Sequence, residues 1–444
     1  MSNLIINLIL LTGFFYLLFR RFNVLESVAL AILLLLGEIG VVGFVLNEYF
    51  GLSYSQAPMY LLAVNLLLLF SSVLCYFFSD RKFENKKTFA WIFVFPLLLI
   101  LFRSFFMPVR GWDAYSMYDG RAKMLIDGYR FKDLKVFSEY DDTNYMYYVS
   151  YPPMTSVIHA VVYSLGLKSP MFVYALFFMS CGILFYSVTR SRKINKYIKA
   201  GIVIVGIFNP LFLDQVNVAY TNLVSISFQI GSIFLIYEFI KEKKFSYILF
   251  SSVLLAFSNW TRSLEPIYIA ILFGNAFVIF TSKETSLIKK VFYMITFSLV
   301  AISPNLFWRN YLSANLGDIG GTSQMSFGEV LRSIPDSLYL TNILEVVFFV
   351  YKSFLSIKFY FLLLIIDIIY LFKLRNFWQY KKEVYLLILI ISVILIMTAG
   401  TFYFSVAYPW WSEISGSFLR SNLILLPLIA MLTLGVINIY AEKK

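Results

Sequence analysis

Long apolar runs dominate this sequence and constrain its fold more than any other feature. Residues 89–102, FAWIFVFPLLLILF, are typical of them. A helix needs about 20 apolar residues to cross a bilayer, where every backbone polar group has to be bonded within the structure. Charged residues make up only 14% of the 444 residues, against roughly 25% in a soluble domain. The sequence therefore predicts an all-α polytopic membrane protein.

The apolar runs predict about thirteen transmembrane helices. We place these spans at 3–20, 27–47, 57–78, 88–107, 170–189, 199–213, 216–240, 246–259, 264–281, 291–307, 341–372, 384–404 and 419–440. The first run has no basic segment before it and no small-residue cleavage site after it, so we interpret it as a retained span. Residues 153–167, PMTSVIHAVVYSLGL, are too short and too polar for a span. We expect them to form an interfacial or re-entrant helix.

The net charge of +12 is concentrated in short Lys and Arg clusters between the apolar runs. These clusters lie at 20–21, 81–87, 190–199, 241–244, 283–290, 373–382 and 443–444. Such a pattern is typical of cytoplasmic loops that face anionic lipid. We therefore interpret the charge as a topology signal and expect no nucleic-acid partner. With residues 153–167 lying flat, every cluster is cytoplasmic, the N-terminus is outside and the C-terminus is inside.

This topology places three polar segments, 108–152, 308–340 and 405–418, on the extracytoplasmic side. The first of them opens with GWDAYSMYDGRAKMLIDG, residues 111–128. Read as a helix from Asp113 to Asp127, it is amphipathic and would lie in the membrane interface. Its apolar stripe consists of Tyr115, Tyr118, Ala122 and Leu125, and Gly128 supplies the stop.

Asp113 has two interpretations, because it starts this helix directly after the fourth span. Aspartate is a preferred N-cap residue, so capping could be its whole role. Alternatively, it is a carboxylate held at the membrane surface, where partial desolvation raises its basicity. Asp119 and Asp127 both lie four residues from Lys123, and we expect the three to form a solvated, salt-bridged face.

The stretch WDAYSMYDGRAKMLIDG, followed by YPPMTSVIHAVVYSLG, resembles the first extracytoplasmic loop of GT-C glycosyltransferases. These polyprenyl-phosphate-sugar-dependent membrane enzymes include protein O-mannosyltransferases and the lipid A aminoarabinose transferase. In them an aspartate opens an amphipathic juxtamembrane helix, and a Tyr-Pro or Lys-Pro step starts a second one. The resemblance implies a GT-C-like catalytic domain at 87–444, preceded by three additional N-terminal transmembrane helices at 1–86. It also implies a bacterial cell (inner) membrane location with an extracytoplasmic active site.

Shorter motifs extend the resemblance along the chain. VAYTNLVSISF lies where relatives often carry an aspartate, and the matching residue here is Asn222. SNWTRSLEP resembles the family's basic-then-acidic step and supplies Arg262 and Glu265. SPNLFWRNYL and SFLRSNLILLP resemble a Pro–Trp–Arg element and the arginine of the final span, giving Arg309 and Arg420.

Sugar transfer from a polyprenyl phosphate to an acceptor hydroxyl needs a base for the proton and cations for the departing phosphate. Asp113 is our candidate general base. The candidate phosphate-binding residues are Arg420, Arg262, Arg309, Arg121 and Lys123. An arginine suits this role because its planar fork bonds phosphate bidentately, whereas the alternative for each is snorkelling to the lipid headgroups.

Tyrosine and tryptophan are dense in the extracytoplasmic segments. Our candidate substrate-binding residues are Tyr118, Tyr151, Glu265, Asn222 and Trp410. The aromatic side chains among them could stack on a sugar or an isoprenoid chain, or could simply form the interfacial aromatic belt.

The sequence contains no metal-ligand spacing. The single histidine, His159, excludes a multi-histidine site, and both cysteines lie inside apolar runs. One carboxylate with arginines is sufficient for the proposed chemistry. A divalent cation such as Mg²⁺ or Mn²⁺ on Asp113 with Asp119 or Glu265 stays an open alternative.

The expected partners are a polyprenyl-phosphate-linked sugar donor, membrane lipids and a glycan, lipid or protein acceptor. One alternative is an O-antigen-type polymerase or ligase, although those enzymes lack the Trp-Asp opening after a span. Another is a transporter or flippase of lipid-linked sugars, which would favour interrupted spans in two related halves and charges at mid-membrane. A purely structural membrane protein would not need so many charged groups on one face.

Overall fold

The computed structural model describes residues 2–19, 21–77, 91–111, 114–134, 151–190, 194–262, 266–282, 285–316, 332, 335, 340–407, 420 and 422–443. These ranges are helical, with no strand among them. The helices are α1 (Ser2–Leu18), α2 (Val24–Phe50), α3 (Ala57–Phe77), α4 (Trp91–Ser104), α5 (Gly120–Ile126), α6 (Met154–Ser164), α7 (Met171–Arg190), α8 (Lys196–Ile207), α9 (Pro210–Asp214), α10 (Thr221–Glu242), α11 (Phe245–Thr261), α12 (Pro266–Phe280), α13 (Leu287–Leu316), α14 (Leu340–Leu355), α15 (Lys358–Phe372), α16 (Lys381–Ala407) and α17 (Leu425–Lys443).

Within the described ranges, seven helices are long and apolar enough to cross a membrane, or eight if the bent pair α14–α15 counts as one. Six further apolar helices have between 10 and 17 residues: α1, the apolar part of α4, α6, α8, α11 and α12. The all-α polytopic architecture is therefore confirmed. The number thirteen stays a prediction, because it counts the shorter helices as spans.

The predicted span at 341–372 is interrupted. Helices α14 and α15 meet at an angle of 95° across a two-residue break. The amides of Ser356 and Ile357 bond back to the carbonyls of Ser353 and Phe354, which closes a turn at this point. A 32-residue run exceeds the roughly 20 residues that one span needs, and hydropathy alone does not locate such a break.

Helix α2 lies in the centre of the bundle. It begins with a capping box between Asn23 and Glu26, and it ends at Gly51, whose φ of 66° suits the left-handed C-cap. It packs along α6 and α7 as well as α1 and α3. At Gly40 a Cβ would lie 1.9 Å from the sulfur of Met154, so the absence of a side chain permits the close approach of α6. The N-terminal helices thus pack directly on the second juxtamembrane segment.

Ion pairs and hydrogen bonds bring four of the basic clusters to one end of the bundle. Arg21 pairs with Glu242 at 2.6 Å, and Lys382 lies 3.7 Å from Glu238. Lys381 Nζ donates to the carbonyl of Thr281 at 3.2 Å. The shared location agrees with the charge-derived topology. We call the opposite end, which is predicted to be extracytoplasmic, the outer end.

At the outer end, Glu48 ties α2 to two distant segments. Its Oε2 accepts the backbone N–H of Phe131 at 3.0 Å, and its Oε1 accepts the hydroxyl of Tyr311 at 2.7 Å. The rings of Phe44 and Trp308 pack beside these bonds. The N-terminal helices therefore position both the turn after α5 and the outer end of α13.

Candidate functional site

The segment after Gly111 begins with a π-helical turn, Ala114–Asp119, and continues as α5, Gly120–Ile126. Gly111 has a φ of 98°, a backbone angle that residues with a side chain rarely adopt. The sequence predicts one regular helix from Asp113 to Asp127. A π turn holds more residues than an α turn and is frequent at functional sites.

This π turn changes which side chains face inward. Tyr118, Ala122 and Leu125 of the predicted stripe are buried, but Tyr115 is 61% exposed. The extra residue in the turn rotates Tyr115 out of the stripe. Its ring instead lies 4.8 Å from the ammonium of Lys123, as a cation–π contact.

Asp119 is buried, so the prediction that it belongs to a solvated face is wrong. Oδ1 accepts the hydroxyl of Tyr163 and lies 3.4 Å from His159 Nδ1. Oδ2 pairs with Lys123 Nζ at 2.8 Å, and half of the Lys123 side chain is exposed. Burial by itself would raise the pKa of Asp119, but bonds from His159, Lys123 and Tyr163 outweigh it and lower that pKa to about 2.

His159 continues the network away from the surface. Its Nε2 lies 3.0 Å from the hydroxyl of Tyr174 on α7. Burial lowers the pKa of His159 against the raising effect of Asp119, so the ring is neutral at pH 7. With the proton on Nδ1, the imidazole donates to Asp119 and accepts from Tyr174. The Asp119 network (Asp119, Lys123, His159, Tyr163 and Tyr174) therefore ties the π turn and α5 to α6 and α7.

Arg121, a predicted phosphate-binding residue, is buried with 3% exposure. Its Nε donates to the carbonyl of Met117 at 3.0 Å and lies 3.1 Å from the hydroxyl oxygen of Ser156. Its terminal nitrogens donate to the carbonyls of Tyr151 and Pro152 at 2.9 and 3.4 Å. These bonds hold the start of the second juxtamembrane segment against the first. We therefore leave Arg121 out of the phosphate-binding set proposed below.

Tyr118 lies on the other side of the same turn. Its hydroxyl is 3.4 Å from that of Thr221, and its ring makes an edge contact with Tyr151 at 6.1 Å between centroids. Burial and then Tyr151 raise the pKa of Tyr118, while the charge of Arg262 lowers it. Arg262 follows the last residue of α11.

Two extended segments meet beside Tyr118, and we call them the seam: residues 110–111 and 218–220. The N–H of Ala219 donates to the carbonyl of Arg110 at 3.4 Å. A Cβ on Gly111 would lie 2.8 Å from Val218 and 3.1 Å from the Tyr220 ring, so only glycine permits this contact. The guanidinium carbon of Arg420 lies over the face of Tyr220, 4.5 Å from its centroid.

The fold thus brings together residues that are far apart in sequence. We call this group the outer cluster: Tyr118, Tyr151, Tyr220, Thr221, Arg262 and Arg420. Two cations lie among aromatic rings and hydroxyl groups, which is a suitable setting for a phosphate or a sugar. Asn222 starts the same helix as Thr221 and is 7% exposed.

Other predicted site residues have different positions. Arg309 is exposed on α13, beside the buried Trp308, and no described contact joins it to the outer cluster. Lys123 belongs to the Asp119 network. Asp113, Glu265 and Trp410 lie outside the described residues. Asp113 follows Gly111 of the seam by two positions.

Sequence reasoning missed Tyr220 and Thr221, and it missed the pairing of Asp119 with His159. The first two stand directly before Asn222 in VAYTN, so the motif was located but its contact residues were not. The pairing of Asp119 with His159 did have a signal in the sequence. A histidine lies among the apolar residues of 153–167, and a buried polar group needs a partner.

No group of three or more His, Cys, Asp or Glu side chains that could hold a metal ion occurs in the part of the chain that the structure describes. Asp119 and His159 make only two donors, and hydrogen bonds or ion pairs already reach both oxygens of Asp119. The described donors therefore do not fit a divalent ion at Asp119.

No family model, curated protein or solved structure matched this chain.

Proposed function

We propose that the protein is a membrane glycosyltransferase that moves a sugar from a polyprenyl phosphate to an acceptor hydroxyl at the extracytoplasmic face. One observation supports this most. Arg420 lies over the Tyr220 ring, and the charge of Arg262, from a distant part of the sequence, acts on the Tyr118 phenol. Tyr220 lies in the seam that leads to Asp113. The motif resemblance to GT-C glycosyltransferases points to the same residues.

In this proposal, the two arginines of the outer cluster bind the donor phosphate. The acceptor oxygen forms a bond to the anomeric carbon as the bond from that carbon to the phosphate oxygen breaks. The leaving polyprenyl phosphate takes the electron pair, and charge grows where the arginines can stabilise it. Asp113 takes the proton of the acceptor hydroxyl. A single displacement of this kind inverts the anomeric configuration.

No step of this proposal passes through a metal ion. The guanidinium groups of Arg262 and Arg420 supply positive charge for the leaving phosphate. The remaining acidic candidates, Asp113 and Glu265, lie outside the described residues. In this proposal, the tyrosine hydroxyls and rings of the outer cluster contact the sugar.

The bend between α14 and α15 favours a second candidate, a transporter or flippase of lipid-linked sugars. Discontinuous helices are common at the binding sites of such proteins. A flippase would move the donor across the bilayer and leave its glycosidic bond intact. The two functions are therefore separated by whether the sugar changes its chemical attachment.

The central test is Asp113→Asn in proteoliposomes that contain a radiolabelled polyprenyl-phosphate sugar. An amide can still cap a helix, so we expect stability to change by no more than about 1 kcal/mol. It cannot take a proton, so we expect transfer to fall by about 10²–10⁴-fold while the donor still binds. Asp127→Asn is the matched control, because Asp127 is exposed on the same segment.

Near-full transfer by a folded Asp113→Asn protein would remove Asp113 from the mechanism. Movement of intact labelled donor between leaflets, without any transferred sugar in the wild type, would favour the flippase instead.

The proposed orientation, with the site in the extracytoplasmic space of a bacterial cell membrane, has its own test. In a cysteine-free background, a cysteine at the exposed Lys132 should react with an impermeant maleimide in intact cells. A cysteine at Tyr197, which is 74% exposed in a predicted cytoplasmic loop, should react only after permeabilisation. The reverse labelling pattern would move the proposed site to the cytoplasm.

A further inference from the structure

A groove of about 360 Å³ lies between α4 and the segment that links α8 to α10. This volume lies within the range of small-molecule sites, about 300–1,000 Å³. Its lining residues are Pro96, Leu99, Ile100, Arg103, Ser104, Met107, Phe208, Leu213, Val216 and Asn217. Leu99 is 53% exposed, so the groove is bordered by a surface that would face lipid.

The lining surface of the groove is almost wholly apolar. Arg103, Ser104 and Asn217 lie towards the outer end of the bundle, whereas Pro96 and Leu99 lie one to two helical turns earlier on α4. The Arg103 side chain is exposed. This order matches an amphiphile whose hydrocarbon chain points into the bilayer and whose anionic headgroup lies at the interface.

In each of the two chain segments that line the groove, the seam residues follow the groove residues in sequence. Met107 and Asn217 line the groove, and the seam residues Gly111 and Tyr220 follow them by four and three positions. Gly111 and Val218 are packed too closely for even a methyl group to be added between them. None of the residues that line the groove belongs to the outer cluster, so its occupant is distinct from a donor bound in the outer cluster.

We propose that the groove binds one acyl chain of an anionic phospholipid of the outer leaflet, with Arg103 at its phosphate. The apolar lining packs more closely against the acyl chain than the surrounding bilayer lipids do. The guanidinium of Arg103 favours an anionic headgroup. This site goes beyond the proposed function, because the phospholipid is not consumed and binds whether or not a sugar is transferred.

Such a lipid would also steady the segment that carries the candidate site. Met107 lines the groove, and its carbonyl accepts the hydroxyl of Ser169 at 2.5 Å, next to the start of α7. The chain then runs four residues to Gly111 in the seam. An acyl chain packed against Met107 therefore supports the segment that leads to the seam.

The first experiment compares lipid labelling of the wild-type groove with labelling of a variant whose groove is filled by a tryptophan side chain. Full-length protein is reconstituted with a diazirine-bearing phosphatidylglycerol, irradiated and mapped by peptide mass spectrometry. We expect wild-type labelling concentrated in residues 96–107 and 208–217, and strongly reduced labelling there in Leu99→Trp. Leu98→Trp is the matched control, because Leu98 is 49% exposed on the same helix but does not line the groove.

The second experiment tests the headgroup by native mass spectrometry of the detergent-solubilised protein. We expect one phosphatidylglycerol to be retained in preference to phosphatidylcholine. Arg103→Gln should weaken that retention about fivefold, the typical effect of one cation near anionic lipid, and Arg103→Lys should largely restore it.

Equal labelling of the groove in Leu99→Trp and Leu98→Trp would overturn the proposal. So would equal retention of the two phospholipids, or displacement of the labelled phosphatidylglycerol by an unlabelled prenyl phosphate, which would assign the groove to the donor chain. None of these measurements uses sugar transfer, so their failure is distinguishable from a failure of the proposed glycosyltransferase activity.

Discussion

Arg121 and Arg420 lie at the same end of the bundle, and the sequence suggests the same phosphate-binding role for both. Their surroundings differ. The guanidinium of Arg121 is buried and donates along its plane to three backbone carbonyls. That of Arg420 is half-buried and lies face-on over the ring of Tyr220. A ring contact engages the face of a guanidinium and not the plane in which its N–H groups point.

This difference shows that the role of an arginine near a membrane surface depends on which groups its N–H donors face. Backbone carbonyls fix the donors of Arg121, so its positive charge holds two juxtamembrane segments together. The ring of Tyr220 contacts the face of the Arg420 guanidinium. The same residue type thus holds backbone segments together in one place and packs on an aromatic ring in the other.

The largest effect should come from Arg121→Met. The methionine keeps much of the volume but leaves the carbonyls of Met117, Tyr151 and Pro152 without their donor. Bonds to charged groups contribute about 1.5–3 kcal/mol each, so we expect a loss of about 3 kcal/mol or more and poor yield of folded protein. Thermal unfolding in detergent measures this.

Arg121→Lys is the control for that experiment, because it keeps the charge and loses the planar fork; intermediate stability is expected. If Arg121→Met were as stable as wild type and lost donor binding instead, the contrast with Arg420 would be wrong.

The next effect concerns Arg420→Ala. Because the proposed contact is with the donor phosphate, we expect the donor dissociation constant to rise roughly ten- to over a hundredfold, with little change in unfolding temperature. Equilibrium binding of a labelled polyprenyl-phosphate sugar measures it. Lys123→Ala is the control and should have a small effect, because half of that side chain is in solvent and its described carboxylate partner is Asp119. Equal losses in the two variants would show that neither contact is specific.

A smaller loss of stability is expected for Asp119→Asn, which changes the buried carboxylate two residues before Arg121. The pKa of Asp119 is about 2 in the folded protein, against about 3.9 for an unfolded aspartate. A lowered folded-state pKa means that its stabilisation is complete above about pH 5 and is lost as the pH falls towards 2. The asparagine variant should therefore be about 2.6 kcal/mol less stable at pH 7.

Its stability should also change less than that of wild type between pH 4 and pH 2, where Asp119 protonates. His159 contributes separately to the pH dependence of stability. Because its pKa is lowered in the folded protein, the fold loses stability as the pH drops through the ordinary histidine range near 6.5. An identical acid profile for wild type and Asp119→Asn would show that the Asp119 network does not stabilise the packing of the π turn and α5 on α6 and α7.

Much of the architecture could be predicted from local sequence. Each predicted span falls on one or more helices of the structure, because hydropathy summed over about 20 residues decides whether a segment is stable in a bilayer. The break at 356–357 could not be predicted, since the apolar run continues across it. The motif readings located Tyr118, Tyr151, Arg262 and Arg420, which the fold brings together.

The sequence by itself determined the protein class and the residue types at the ends of the apolar segments, because hydropathy and charge are sums over neighbours in the chain. Only the tertiary structure decided that Asp119 is buried, that Arg121 bonds to carbonyls and that Arg420 faces a ring. Those outcomes depend on His159, Ser156 and Tyr220, which lie 35 to 200 positions away from their partners and are brought near only by helix packing. Burial and partner identity, which set the pKa and the donor geometry of a charged group, are properties of that packing.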